Sequence, residues 1–232
     1  MPDITIAAPD GRFAAYLALP KQTPAPGLLV IQEIFGVNTV MRELTDGFAA
    51  KGYVAVCPDL FWRQEPGIQI TDKTDAEWQK AFQLFQGFNQ TKGVEDLIST
   101  LDHLRGRSEC SGKVGSVGYC LGGKLAYFMA TRSTADCNVS YYGVGIETVL
   151  DESAAVTKPL LMHIAEKDQF VPPAAQKQIL ERMAKNPRVT THVYPGCDHA
   201  FARKGGAHWN AEAAMAANRR TDEFFQRYLR QA

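Results

Sequence analysis

The sequence predicts a single α/β domain, residues 1–232, with a mostly parallel β-sheet flanked by helices on both faces. Two observations lead to this fold class. Short apolar runs that suit buried strands alternate along the chain with amphipathic stretches that suit helices. The connections are short, and no repeat, low-complexity tract or linker interrupts the pattern. Strands that alternate with helices pair in parallel, because each connecting helix returns the chain to the same end of the sheet.

The amino-acid composition narrows the range of possible functions. Hydrophobic residues make up 45% of the chain and charged residues 22%, so a packed core is available. The 25 basic and 25 acidic residues balance, which argues against binding to nucleic acid or to an anionic membrane. No apolar run reaches the ~20 residues of a membrane span, and no secretory leader is visible. The five cysteines show neither a C-x-x-C pair nor zinc spacing, so we expect a cytoplasmic protein without a metal or cofactor.

The first half of the chain predicts a hairpin, two further strands and three helices. The turn Pro9-Asp10-Gly11 joins the hairpin strands, and Pro24 and Pro26 then stop the chain. Residues 27–32 are a continuous apolar run typical of a central parallel strand, and Asn38 suits the N-cap of the following helix. The predicted strands are 4–7, 13–19, 27–32 and 53–57, and the predicted helices are 39–52, 75–88 and 94–106.

Residues 58–71 form a long irregular connection that contains two more turn residues, Pro66 and Gly67. A loop of this length in a compact domain is usually functional and often forms a pocket wall. The helix after it is rich in aromatic residues, and we expect most of them to pack in the core. These residues are Trp78, Phe82, Phe85 and Phe88.

Residues 113–131 organise the second half of the chain. An apolar strand breaks at Gly118-Tyr119-Cys120-Leu121-Gly122-Gly123, and a helical pattern follows at once. A strand, a sharp turn and a helix with one nucleophile at the tip form a nucleophile elbow, here with Cys120 as the nucleophile. Glycines flank Cys120 because a Cβ two residues before or after it would collide with a neighbouring strand or helix. The alternative is a buried structural cysteine in a turn.

Two polar residues then follow strands in the order that an elbow requires. The predicted strands are 138–142, 160–164 and 190–194, and helices begin at 172 and 211. Asp168 follows the second of these strands and His199 follows the third. The order nucleophile, acid, histidine is that of an α/β-hydrolase. His199 can take and return a proton near neutral pH, and Asp168 would fix its tautomer.

Other residues compete for these roles. Glu166 and Asp198 are rival acids, but the Asp198 side chain would have to turn back to reach the adjacent His199. A lone Asp in such a loop is otherwise a cap or turn former. We expect His163, inside a strand, to be packed, and we assign no role to Cys197.

The sequence resembles the dienelactone hydrolase family, cysteine-based members of the α/β-hydrolase superfamily, over nearly the whole chain. The matching motifs are QEIFGVN (32–38), CPDLFWRQ (57–64), GKVGSVGYCLGGKLA (112–126), YYGVG (141–145), DQFVP (168–172) and GCDHAFAR (196–203). The resemblance implies an α/β-hydrolase fold and hydrolysis of a lactone or carboxylic ester through an acyl-thioester intermediate. The typical substrate would be an enol-lactone from aromatic-ring degradation.

The resemblance also implies residue roles. Cys120, His199 and Asp168 match the family's triad. The glutamate that matches Glu33 keeps the resting thiol neutral and accepts its proton when a substrate carboxylate arrives. The backbone N–H groups of Leu121 and Ile34 match the oxyanion donors, and Arg203 matches the arginine that binds the substrate carboxylate.

The chain departs from the family at two positions. Trp78 and Phe82 stand where the family carries an arginine and a tyrosine that help to hold the substrate carboxylate. With Phe35, they would form an aromatic pocket wall. We therefore expect a weaker hold on small anionic lactones and a larger, more apolar acyl or alcohol portion.

A different class of function is a catalytically idle α/β-hydrolase scaffold that binds a ligand or senses redox state through Cys120. The full triad argues against idleness. No G-x-S-x-G occurs, which argues against a serine peptidase or lipase. We expect a monomer whose partner is a small-molecule ester or lactone.

Overall fold

The structure, a computed structural model, describes residues 3–230. Its strands are β1 (Asp3–Ala8), β2 (Gly11–Ala18), β3 (Ala25–Ile31), β4 (Val54–Pro58), β5 (Cys110–Tyr119), β6 (Asn138–Tyr141), β7 (Leu160–Ala165) and β8 (Val189–Tyr194). They form an eight-stranded sheet in the order β1-β2-β4-β3-β5-β6-β7-β8. The pairs β1–β2 and β2–β4 are antiparallel, whereas β3–β4, β6–β7 and β7–β8 are parallel. The predicted α/β-hydrolase fold class is confirmed.

The helices are α1 (Thr39–Ala50), α2 (Asp75–Gly87), α3 (Gln90–Arg105), α4 (Leu121–Arg132), α5 (Pro173–Met183) and α6 (Ala211–Phe225). Asn38 caps α1 as predicted, because its side chain accepts a hydrogen bond from the Met41 N–H. The 3₁₀ helix Ile146–Ala155 was not predicted, since it has no continuous apolar stripe. Pro26 lies inside β3, near the strand's start, where a missing ladder N–H is tolerated. No helix within 3–230 is long and apolar enough to cross a membrane.

The chain forms two compact units, of which the first ends at Ser116. Apolar side chains of β3 and β4 supply its core and are fully buried, for example Leu29 and Val56. Helix α3 packs close to β3, since a Cβ on Gly27 would lie 2.8 Å from a Leu104 methyl carbon. The long loop 58–71 is tied to α3 by Arg63, which pairs with the buried carboxylate of Asp96.

The aromatic residues of α2 do not pack as predicted. The fully buried side chains of this helix are the small or aliphatic Ala81 and Leu84. Trp78 is half-buried and Phe82 is 39% exposed, while Phe85 and Phe88 are half-buried. The prediction that most of them lie in the core was wrong because Ala81 and Leu84 alone supply the inward-facing stripe of the helix.

The second unit begins at Val117. Every residue of α4 from Leu121 to Ala130 is buried, as are all residues of β6 and β7. Helix α5 begins with Pro173 at its first turn, as predicted. The predicted terminal helix is also present, although α6 ends at Phe225 and Gln226–Arg230 continue as a π-helical turn.

Candidate active site

Cys120 lies between β5 and α4 in a strained backbone conformation, with φ 56° and ψ −116°. A non-glycine residue there needs its surroundings to hold it in place. Its N–H donates to the Tyr141 carbonyl at 3.1 Å. A Cβ on Gly118 would lie 1.8 Å from the Gly122 oxygen, and one on Gly123 would lie 2.4 Å from the Tyr141 oxygen. The strand and helix can therefore approach closely enough to form the elbow only because both positions are glycine.

His199 and Asp168 form a buried pair at the ends of β8 and β7. Nδ1 of the ring lies 2.9 Å from Oδ2 and 3.1 Å from Oδ1 of Asp168. The residues are 6% and 4% exposed. The N–H of Phe170 donates to Oδ1 of Asp168 at 2.9 Å, which fixes the carboxylate. A carboxylate at Nδ1 places the ring proton there and leaves Nε2 available for chemistry.

The ring of His199 is held between two aromatic residues. Tyr142 contacts it edge-to-face with ring centroids 5.1 Å apart, and Phe170 does so at 4.8 Å. Tyr142 has φ 38°, and Ala200, beside His199, has φ 60°. Positive φ values at non-glycine residues are uncommon, and here they follow strands β6 and β8 near the His199 ring.

The electrostatics of His199 depend on Cys120. Burial by itself lowers the pKa of His199, but the negative charge of Cys120 and the hydrogen bonds to Asp168 and Cys120 outweigh burial and raise the pKa to about 10. The buried Nε2 atom has no nitrogen or oxygen partner among residues 3–230. A buried ring nitrogen that interacts with a thiol sulfur and with no other polar group is suited to proton transfer.

The rival acids have other partners. Glu166 accepts a hydrogen bond from the Gly196 N–H at 2.8 Å. Asp198 accepts from the backbone N–H groups of Gln169 and His199, at 3.1 and 2.6 Å. Both carboxylates therefore tie the loop after β8 to the loop after β7. In the described part of the chain, no three His, Cys, Asp or Glu residues are grouped so that they could hold a metal ion.

Known proteins resemble this chain over nearly its whole length. The family model of the dienelactone hydrolase family matches residues 13–229. The chain belongs to the dienelactone hydrolase family. It is 57% identical to an Azospirillum brasilense protein named "Putative carboxymethylenebutenolidase", over 99% of this chain and 100% of that one. It is 40% identical to the carboxymethylenebutenolidase of Pseudomonas putida, over 95% of this chain and 94% of that one. This dienelactone hydrolase family member is therefore a hydrolase.

A solved structure shows the same fold. The crystal structure titled "Putative Dienelactone Hydrolase" from Klebsiella pneumoniae covers 100% of this chain and 98% of its own, with a TM-score of 0.85. Its sequence is 24% identical, so the likeness concerns the fold alone.

The other residues to which the family resemblance gives a role lie in both units. In the first unit, Glu33, Ile34 and Phe35 follow β3 directly and are all buried. Phe35 contacts Trp78 edge-to-face at 5.0 Å, and Trp78 stacks on Phe82 at 5.5 Å. The three aromatic residues thus form one cluster, with the Trp78 indole N–H donating to the backbone of the loop before α2.

In the second unit, Leu121 is the buried first residue of α4, so its N–H is one of the amides that a helix leaves without an internal partner. Arg203 lies in the turn after His199, where its N–H donates to the Ala200 carbonyl at 2.9 Å. Tyr142 and Phe170 were not predicted as site residues. The available signal was their place in the sequence: Tyr142 comes directly after a strand, and Phe170 comes two residues after Asp168.

Proposed function

We propose that the chain hydrolyses a lactone or carboxylic ester with Cys120 as nucleophile, His199 as general base and acid, and Asp168 as the residue that orients His199. The observation that carries the proposal is the state of the His199 ring. Asp168 occupies Nδ1, Nε2 has no nitrogen or oxygen partner among residues 3–230, and the charge of Cys120 and a hydrogen bond to it act on the ring. A thiolate paired with an imidazolium is a ready nucleophile.

Acylation would begin when the sulfur of Cys120 attacks the carbonyl carbon of the substrate. The carbonyl oxygen then carries the negative charge, which the N–H of Leu121 at the start of α4 can stabilise. As the C–O bond breaks, Nε2 of the His199 imidazolium gives its proton to the leaving oxygen. With an ester, the alcohol departs, whereas with a lactone the new hydroxyl stays on the acyl group.

Deacylation would use the same groups in reverse. Neutral His199 takes a proton from water, and the resulting hydroxide attacks the thioester carbonyl. The C–S bond breaks, the sulfur leaves as a thiolate, and the product is a carboxylic acid, which ionises by releasing its proton to solvent. Asp168 stabilises the imidazolium in both halves and remains ionised.

We extend the proposal to three residues on the strength of the family resemblance. Glu33 would keep the resting thiol neutral and accept its proton when substrate binds, and this proton would then pass to His199 to give the thiolate–imidazolium pair. The N–H of Ile34 would be the second oxyanion donor. Arg203 would bind a substrate carboxylate, for which the planar guanidinium is suited.

The substrate class follows from the relatives and from the aromatic cluster. Several relatives are named carboxymethylenebutenolidases, which favours an anionic lactone. The cluster of Phe35, Trp78 and Phe82 is apolar, and its outer ring is exposed. We propose that this chain accepts lactones and esters with a larger, less charged acyl or alcohol portion than the relatives' names imply.

The test measures turnover of an aryl acetate and of a dienelactone by the wild type, Cys120→Ala and the matched control Cys110→Ala. We expect Cys120→Ala and iodoacetamide-treated wild type to lose turnover with both substrates, and Cys110→Ala to retain it. Turnover by Cys120→Ala at the wild-type rate would overturn the triad. Absence of turnover in all proteins, with rapid reversible oxidation of Cys120, would favour the idle, redox-sensing scaffold.

A further inference from the structure

A chain of buried polar side chains crosses the second unit beneath the site. It joins strands β6, β7 and β8 to helix α6. Nδ1 of His163 lies 2.8 Å from the Tyr194 hydroxyl, and Nε2 lies 3.0 Å from Oγ1 of Thr221. Thr221 is in turn 2.7 Å from the Tyr141 hydroxyl. The described groups at its two ends are Arg220, 2.9 Å from the Tyr194 oxygen, and Asn218, 3.1 Å from the Tyr141 oxygen.

The two ends fix the direction of all five hydrogen bonds. Arg220 can only donate, so the Tyr194 oxygen accepts from it. Among residues 3–230 the remaining neighbour of the Tyr194 hydroxyl is His163 Nδ1, so the Tyr194 O–H donates to that nitrogen. At the other end, the Tyr141 O–H donates to Oδ1 of Asn218, so the Tyr141 oxygen accepts from Thr221. Oγ1 of Thr221 therefore accepts from His163 Nε2. The Arg220 end and the Asn218 end of the chain lead to the same assignment: His163 is neutral, with its proton on Nε2.

His163 is 1% exposed, and Thr221 is equally buried. Burial, with the nearby charges of His192 and Arg220, holds the pKa of His163 well below its usual value, so the ring stays neutral. A buried polar network is stabilising only when every member is satisfied, and apolar residues of similar volume often serve stability as well. A fully satisfied chain of this length instead defines one arrangement of the elements that it joins.

The joined strands carry the site. The residue after β6 is Tyr142, whose N–H donates to the His163 carbonyl at 2.8 Å and whose ring contacts His199. Asp168 follows β7 and His199 follows β8. The ring of Tyr194 packs on Phe201 at 4.6 Å, and Phe201 contacts Tyr142 at 5.6 Å. A shift of β7 against β6 or β8 would thus displace Asp168 or Tyr142 from the His199 ring.

We propose that His163 is a positioning residue for the proposed reaction: by accepting from Tyr194 and donating to Thr221, it fixes the ends of β6, β7 and β8, and thereby the geometry of His199 and Asp168. This inference rests on the proposed function. His163 touches no reacting atom and acts through the strands.

The test compares Thr221→Val, which removes the hydroxyl but keeps the shape, with Thr221→Ser, which keeps the hydroxyl. We expect kcat for an aryl acetate to fall about tenfold in Thr221→Val with KM within about twofold, because a misplaced general base slows chemistry more than binding. The rate of Cys120 alkylation by iodoacetamide should fall too. Thr221→Ser should keep both rates, and Tyr194→Phe, which frees His163 Nδ1, should lower both.

Wild-type kcat and alkylation rates in folded Thr221→Val and Tyr194→Phe would overturn the positioning role. Proton–nitrogen NMR correlations of the wild-type His163 ring provide a test that needs no variant. We expect the proton on Nε2, and a proton on Nδ1 would overturn the assignment. Failure of the proposed function looks different, since Cys120→Ala would then turn over substrate while the tautomer of His163 remained as described.

Discussion

Asp96 in the first unit and His199 in the second unit are both buried polar residues, yet their hydrogen bonding differs. Asp96 is 0% exposed, and its two oxygens accept from the indole N–H of Trp62 and from both terminal nitrogens of Arg63. His199 has Asp168 on Nδ1, and its Nε2 has no nitrogen or oxygen partner in the part of the chain that the structure describes.

This difference separates a residue that anchors a loop, Asp96, from one that is arranged to transfer a proton, His199. A buried carboxylate with both oxygens hydrogen-bonded to an indole and a guanidinium holds the loop 58–71 on α3. A buried imidazole whose second nitrogen has no nitrogen or oxygen partner keeps the capacity to bind another group, at a cost in stability that the surrounding structure must cover. Substitution at the His199–Asp168 pair should therefore lower turnover more than stability, and substitution of Asp96 should lower stability more than turnover.

The largest effect is expected from Asp168→Asn. The amide can donate to Nδ1, which would place the ring proton on Nε2 and remove the base. We expect turnover of an aryl acetate to fall about 10⁴-fold with little change in the unfolding midpoint. Asp151→Asn, at an exposed position of the same unit, is the control. Near-normal turnover in Asp168→Asn would place the orienting acid elsewhere.

Asp96→Ala should give the reverse result. Removing the carboxylate leaves Arg63 and the Trp62 N–H without their buried partner, and we expect the free energy of unfolding to fall by about 3 kcal/mol. Denaturant titration measures this loss, and kcat of the folded fraction should stay near wild type. Asp102→Ala, at an exposed position of α3, is the control. A large loss of kcat without a loss of stability would contradict an anchoring role.

The pKa of His199 should depend on the charge of Cys120. Its pKa is raised to about 10, so the imidazolium should persist through neutral pH and lose its proton as pH rises through that value. In Cys120→Ala the negative charge is gone, so the midpoint should move down. NMR titration of the ring measures both, with Cys110→Ala as control. An unchanged midpoint in Cys120→Ala would mean that the sulfur does not act on the ring.

The smallest expected effect is a change in substrate specificity. Trp78→Arg combined with Phe82→Tyr restores the residue types that the family carries at these positions. We expect the ratio of kcat/KM for an anionic dienelactone over an uncharged aryl ester to rise about threefold, in keeping with a partly exposed charge. Phe85→Tyr on the same helix is the control. A wild type that already strongly prefers the anionic lactone would contradict the altered pocket.

Much of the second unit could be predicted from the sequence. The strand, the glycines and Cys120 are contiguous, so local sterics alone define the elbow. Asp168 and His199 come within a few residues of the ends of predicted strands, and parallel strands bring such positions to one edge. The contacts of Tyr142 and Phe170 with the His199 ring could not be predicted, because they depend on ring orientation.

The aromatic helix shows where sequence patterns fail. Period and composition predicted that most of the aromatic residues of this helix lie in the core, but the helix buries Ala81 and Leu84 instead. Which stripe of a helix turns inward depends on the element that it packs against, and no local pattern encodes that partner. The chain of polar residues around His163 is equally non-local, since its members come from three strands and one helix.

The most direct test of the account is to trap the acyl-enzyme. The wild type is mixed with an aryl acetate, quenched in acid within milliseconds and digested, and the peptides are weighed by mass spectrometry. We expect an acetyl group on the peptide that contains Cys120, none on the peptide that contains Cys197, and none on either in Cys120→Ala. Steady turnover with no acetylated Cys120 at any quench time would contradict covalent catalysis by this sulfur.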